Sequence, residues 1–256
     1  LRMALAALCA DDEWGRSWAD IFQYRFTSDG ALDGHAVGNL LLAALWDRDV
    51  DPVIGLDRVA ALLKVVGRVL PMAAAPLDIE AIFDNAGVLQ KVQGQVQVAT
   101  AQGKLKSLHL VPVNPTALPV ALKAIEQAEW ITVGPGSWFS SVIPHLLVPA
   151  QLDALKNSKA KKILILNLDA SSASQGEEFA GSTPEQHLEF FHHYAPGLTV
   201  DYCLVDQSVV RDADALHTAA STLGSEIVVA DIRKAPGSIH HDAEKLALHL
   251  GHIFSR

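Results

Sequence analysis

Trp130-Ile131-Thr132-Val133-Gly134-Pro135-Gly136-Ser137-Trp138-Phe139-Ser140-Ser141 carries an apolar strand pattern straight into glycines and hydroxyls, and then into a helical pattern. Chains of α/β type hold phosphate in this way. Glycine permits tight or left-handed backbone, and a helix start leaves N–H groups free beside the hydroxyls of Ser137, Ser140 and Ser141. Pro135 stiffens the turn. The spacing matches neither the P-loop nor the G-x-G-x-x-G dinucleotide pattern, so the stretch alone also fits an ordinary strand-to-helix turn.

The flanking sequence repeats the strand-then-helix theme. Val120 to Ala128 reads as a helix leading into the Trp130 to Val133 strand, and Lys162 to Leu168 reads as a second apolar strand. Continuous apolar runs of this kind suit central parallel strands. Thr183-Pro184-Glu185 reads as a cap opening a helix that carries Leu188, Phe191 and Tyr194. Asp201 to Val205, Asp212 to Leu223, Ile227 to Ala230 and Asp242 to Phe254 complete a β-α-β-α series. The alternation predicts a mostly parallel sheet flanked by helices, in a single domain over residues 1–256.

The first quarter is helical in pattern. A helix at the start gives way at Asp11-Asp12-Glu13 to a stretch from Trp14 to Phe26, ending at the turn Ser28-Asp29-Gly30. Asp33 is predicted to cap a helix through His35 and Leu45, and Pro52 to open another reaching Val66. Val69 to Met72, Gln95 to Ala99 and Leu108 to Val113 are short Val-rich runs predicted as strands. The chain opens on Leu1-Arg2-Met3-Ala4-Leu5 without the layout of a secretory signal. Since open α/β sheets normally begin with a buried strand, an earlier strand and loop are expected upstream of Leu1.

Composition narrows the partners. Half of the 256 residues are apolar, yet charged residues interrupt every apolar run before it could span a bilayer, so no membrane span is expected. Twenty Lys and Arg against 29 Asp and Glu give a formal charge of −9, with no basic track for nucleic acid. Cys9 and Cys203 sit in apolar contexts that suit free buried thiols and the cytoplasm.

In parallel α/β sheets ligands bind beyond the carboxyl ends of the strands, and each end here carries polar residues. Gly134 to Ser137 follow one strand, Asn167 and Asp169 end the next, and Asp206 and Gln207 end a third. Pro236-Gly237-Ser238-Ile239-His240-His241-Asp242 lies beyond the fourth. Gly34-His35-Ala36-Val37-Gly38-Asn39 is expected to put His35 and Asn39 one helical turn apart on one face. They either grip a ligand or serve as a cap and a buried amide. The eleven histidines lack the clustered spacing of a zinc site, and no metal site is expected from them.

Four blocks together carry a family resemblance: Leu1-Arg2-Met3-Ala4-Leu5, Gly34 to Leu41, Leu70-Pro71-Met72 and Gly134 to Pro144. The chain resembles the gluconeogenesis-factor family, the YvcK-type branch of the CofD-like superfamily, over essentially its whole length. The resemblance implies a Rossmann-like α/β fold, binding of UDP-activated sugars, and support of cell-wall synthesis and cell shape during growth on gluconeogenic carbon. It also implies that Gly34, His35, Gly38 and Asn39, with Gly134, Pro135, Gly136 and Ser137, line a phosphate-and-sugar pocket. Asn167 and Tyr202 match family positions at a strand end and at the start of a D-Y segment, where sugar or base contact is implied. His240 stands where many relatives have arginine, replacing a constant cation by a titratable one.

The same resemblance places a glycine-rich loop and an aspartate-rich segment, natural seats for diphosphate and metal, upstream of Leu1. Mg²⁺ would accompany a nucleotide ligand, and no other cofactor is implied. The serine-rich run from Asn167 to Glu177 exceeds the family's compact equivalent and is expected to be a mobile loop. Three readings stay open: a cytoplasmic UDP-sugar-binding regulator, a transferase of phosphate-linked groups with His35 as its general acid or base, and a scaffold without nucleotide binding. A homodimer and a regulated cell-wall enzyme are the expected protein partners.

Overall fold

The computed structural model describes residues 1–49, 51–168 and 183–256. They fall into two compact units, Leu1–Pro71 and Met72–Arg256, where the sequence pattern suggested one domain.

The first unit is a cluster of helices: α1 (Arg2–Ala7), α2 (Glu13–Gln23), α3 (Val37–Arg48) and α4 (Pro52–Leu63). Asp12 caps α2 by accepting from the Gly15 N–H at 2.6 Å, and Asp51 caps α4 through Val53 N–H at 2.8 Å. Pro52 occupies the first turn of α4, where its missing N–H costs nothing. The apolar faces meet around Leu5, Phe22, Leu42, Leu56 and Leu63. Asp33 does not cap α3. Residues 24–26 instead pair with residues 34–37, through Phe26 N–H to His35 O at 3.0 Å and Val37 N–H to Tyr24 O at 3.0 Å. That short ribbon keeps the backbone extended as far as Ala36, the true N-cap, while the Asp33 carboxylate accepts from Ser28 N–H at 3.0 Å within the loop.

The second unit begins with β1 (Asp78–Asn85), β2 (Val88–Gln93), α5 (Gln95–Thr100) and β3 (Lys104–Val111). Its three strands form an antiparallel sheet of order β2-β1-β3. β1 and β2 were not expected from the sequence pattern, and the predicted strand at Gln95 to Ala99 is the helix α5. Six residues are too few to separate a helical from an alternating pattern; Val98 is buried while Val96 is 70% exposed. Val69 to Met72 is not a strand either, and β3 starts earlier than predicted, at Lys104.

Then come α6 (Pro119–Gln127), β4 (Trp130–Val133), a π-helix (Trp138–Val142), α7 (Ile143–Leu146), α8 (Pro149–Asn157), β5 (Lys161–Ile165) and α9 (Pro184–Tyr194). The chain finishes with β6 (Tyr202–Asp206), α10 (Ala213–Ser221), β7 (Glu226–Ala230) and α11 (Ala243–Phe254). β4 to β7 form a four-stranded parallel sheet in sequence order, as the β-α alternation predicted. Alternation along β5 divides the core. Leu164 and Leu166 pack with Phe139, Phe191 and Val205 on one face, and Ile163 and Ile165 pack with Leu204 and Ile253 on the other. Burial on both faces explains the continuous apolar runs, and all five residues of β6 are buried.

Candidate functional site

β4 stops at Val133 because Gly134 adopts φ +75°, which ends the extended run. A side chain there is excluded twice: by the positive φ, and because a Cβ would lie 2.8 Å from the Ile165 carbonyl oxygen on the neighbouring strand. The Gly134–Pro135 peptide is cis. Ser137 caps the π-helix that follows; its hydroxyl accepts from Ser140 N–H at 3.1 Å and from the Ser140 hydroxyl at 2.7 Å. Val142 N–H reaches Ser137 O at 3.0 Å, the widened bonding that defines a π turn and that recurs at functional sites.

Asn167, just beyond β5, holds this turn with both ends of its amide. Oδ1 accepts from Gly136 N–H at 3.1 Å, and Nδ2 donates to Gly136 O at 2.7 Å. The side chain thus shapes the phosphate-type turn rather than offering a free amide. A cavity of about 270 Å³ adjoins it, lined by Ile125, Ile131, Gly134, Ser141 and Leu155. At its wall His145 Nδ1 lies 3.2 Å from Oε1 of the buried Gln151.

The ends of β6 and β7 carry a polar brace built on Asp206, which the sequence places at a strand end, and on Arg233, which the sequence pattern does not single out. Asp206, 2% exposed, accepts from Ser208 N–H at 2.9 Å and from the Ser208 hydroxyl through Oδ1, and from Ile232 N–H at 2.9 Å through Oδ2. Arg233 Nε donates to Ser208 Oγ at 2.9 Å and lies 3.6 Å from Asp206 Oδ1, while its Nη1 donates to Ser238 O. Burial opposes ionisation of Asp206, but the bonds from Ser208 and Ile232 and the nearby Arg233 outweigh it, so the carboxyl titrates below its ordinary range. The signal was present in the sequence: an aspartate closing a fully apolar strand is buried with it and needs partners.

His241 extends the brace to β5, with Nε2 3.2 Å from Leu166 O. Glycine turn, Asn167 and the loop after β7 therefore lie together at the carboxyl ends of the parallel strands, where such sheets bind ligands. His240 is exposed on that loop, its N–H donating to Ser238 Oγ at 3.0 Å and its carbonyl accepting from Lys234 N–H at 3.0 Å.

Tyr202 is the first residue of β6, paired with Ile163 and Glu226, and so sits at the amino end of the sheet, away from the glycine turn. It is 9% exposed and stacks on Trp130 with ring centroids 6.2 Å apart. Within the first unit, His35 precedes the N-cap Ala36, so it does not share a helical face with Asn39 as the sequence suggested; both side chains are exposed. Gly34 has φ +71°, and its carbonyl accepts from Arg25 Nη1 at 2.7 Å. Gly38 admits the close crossing of α2 and α3, since a Cβ would lie 2.7 Å from Phe22 O.

Cys9 and Cys203 are both free, and burial pushes the Cys203 thiol far above the ordinary range. Among the described residues no group of three His, Cys, Asp or Glu could hold a metal ion, and no helix is long and apolar enough to cross a membrane. The serine-rich run beyond Leu168 lies outside the described residues.

A family model for 2-phospho-L-lactate transferase CofD matches residues 1–243. A Mycobacterium leprae protein named as a gluconeogenesis factor is 44% identical over 254 residues, spanning 96% of this chain and 69% of its own. The gluconeogenesis factor of Listeria monocytogenes is 29% identical over 239 residues, spanning 89% of this chain and 72% of its own. A crystal structure of a UPF0052-family protein from Bacillus halodurans superposes with a TM-score of 0.81 at 29% identity, covering 97% of this chain and 81% of that one.

Proposed function

Since the chain belongs to the CofD family and to its gluconeogenesis-factor branch, we propose that it binds a nucleoside-diphosphate sugar of the UDP class and acts as a cytoplasmic regulator of cell-wall synthesis and cell shape on gluconeogenic carbon. The observation that carries this reading is the pair of hydrogen bonds between the Asn167 amide and Gly136, which fixes a glycine turn between the end of a parallel strand and the start of a helix. A glycine turn that leads from a parallel strand into a helix start, with the local dipole, favours a diphosphate without a lysine or arginine beside it. Gly134, Pro135, Gly136 and Ser137 would seat the phosphates. Asn167 would position the turn, and His240 would lie near the sugar. The overall charge of −9 makes a Mg²⁺ ion bound with the diphosphate a natural complement.

The transferase description of the matching family model favours a second reading, transfer of a phosphate-linked group from a nucleotide-activated donor. There the exposed His35 is the candidate general acid or base. Titration calorimetry with UDP-N-acetylglucosamine, UDP-glucose and GDP, with and without Mg²⁺, tests both. Saturable UDP-sugar binding with no turnover supports the regulator, metal-dependent transfer to an acceptor supports the enzyme, and absence of nucleotide preference leaves only a scaffold.

A further inference from the structure

The loop after β7 is braced far beyond what its connection to α11 requires. Lys234 N–H bonds His240 O at 3.0 Å and Asp242 N–H bonds Ile232 O at 2.8 Å, closing the loop on itself. Asp206 and Arg233 then pin it to β6, with side chains 1% and 11% exposed. A buried ion pair gains little net stability over well-packed apolar residues, so it is better understood as a device that fixes one geometry. What it fixes is the position of His241, which crosses beyond the end of β6 to the carbonyl of Leu166 just past β5, one residue from Asn167. Loop, strand end and glycine turn thus form one bonded series: His241 to Leu166, and Asn167 to Gly136.

We propose that His241 is a positioning residue, whose imidazole latches the braced Arg233–Asp242 loop to the end of β5 as a preset wall for the sugar of a nucleotide sugar seated on the glycine turn. The proposal rests on the nucleotide-sugar reading above. It goes further in assigning the loop to the sugar and not to the diphosphate, and in placing the control at His241 rather than at its exposed neighbour His240. The charged groups that act on the ring are Asp206, Arg233 and His240.

Two variants separate the latch from a general loss of fold. His241→Ala removes the bond, and His241→Gln retains a donor at the position of Nε2. Calorimetry of UDP-N-acetylglucosamine and of UDP alone is expected to show that His241→Ala weakens the sugar nucleotide about tenfold, the worth of one good hydrogen bond. UDP, which does not reach the loop, changes by less than about threefold, a difference under 1 kcal/mol. His241→Gln restores most of the loss. Equal weakening of both ligands, no weakening of either, or an alanine loss that glutamine does not restore overturns the proposal.

Hydrogen exchange without ligand supplies the independent arm. Amides of Arg233–Asp242 are expected to exchange faster in His241→Ala and near the parent rate in His241→Gln. Unchanged exchange in His241→Ala overturns the latch itself. If the unmutated protein binds neither UDP compound, the nucleotide-sugar reading falls and takes the loop's assignment to the sugar with it.

Discussion

The carboxamide of Asn167 bonds both the N–H and the carbonyl of Gly136, at 3.1 and 2.7 Å, across the gap between the ends of β5 and β4. No other amide-for-backbone pairing of this kind ties two strand ends of the parallel sheet among the described residues. Replacing Asn167 by Ala is expected to cost about 1–3 kcal/mol, two hydrogen bonds at roughly 0.5–1.5 each. Asn167→Asp should cost more, because the donor to the Gly136 carbonyl becomes a second acceptor facing it. Urea denaturation of the three proteins gives the order directly.

Gly134 and Gly197 both have positive φ, +75° and +80°, but only Gly134 is crowded: a Cβ would meet Ile165 O at 2.8 Å, whereas nothing lies within 4 Å of Gly197. Gly197→Ala should cost about 1 kcal/mol for the left-handed backbone alone. Gly134→Ala should exceed it clearly, since Ile165 O belongs to a strand that cannot shift cheaply. Equal costs in chemical denaturation would mean that β5 yields to the added carbon.

Removing the charge of Asp206 leaves the largely buried Arg233 without its counter-charge, so Asp206→Asn is expected to destabilise by about 3–5 kcal/mol. The pH dependence has a definite sign. The folded pKa of Asp206 is depressed, so its contribution is complete above the unfolded value near 3.9 and disappears as pH falls through the lower folded value. Acid unfolding of Asp206→Asn should therefore be shallower than that of the parent below about pH 4, the range in which an unperturbed aspartate titrates.

His241 titrates low, first because burial disfavours its cation, with Arg233 and His240 acting the same way against the Leu166 bond and Asp206. Between the folded value and about 6.5 the unfolded chain binds more protons, so this contribution to stability is complete above about pH 6.5 and declines on acidification. The ring resonances of His241 should titrate below the ordinary histidine range by NMR. A normal or raised value would remove the burial argument.

The parallel sheet was legible because buried strands leave long apolar runs and their helices carry caps, as at Thr183-Pro184 and Asp212. The antiparallel strands were not: burial alternates along β1, with Ile79, Ala81 and Phe83 inward, but Ile82 between them breaks the apolar–polar alternation, and the positive φ of Ala86 and Gly87 at the turn is marked in sequence only by the glycine. Valine content hid them: it drew attention to Gln95 to Ala99, where Val98 fills a core position of a helix.

Site residues divided in a similar way. The glycine turn announces itself locally, so its residues could be named from sequence. Tyr202 could not be placed, because a motif gives no strand direction, and only the parallel register shows that it lies at the amino end. Arg233 escaped notice since its role depends on Asp206 and Ser208, 27 and 25 positions earlier in the chain. His35 was assigned to a helix that begins only after it, because the pairing of Phe26 with His35 is invisible to helical periodicity.

Calorimetric titration of UDP-N-acetylglucosamine into the parent protein and into Asn167→Ala tests the central claim most directly. Saturable single-site binding, weakened about tenfold or more when the turn loses its clip, is the expected result, corresponding to at least 1.4 kcal/mol. Absence of saturable binding to the parent, or equal affinity in both proteins, would contradict it.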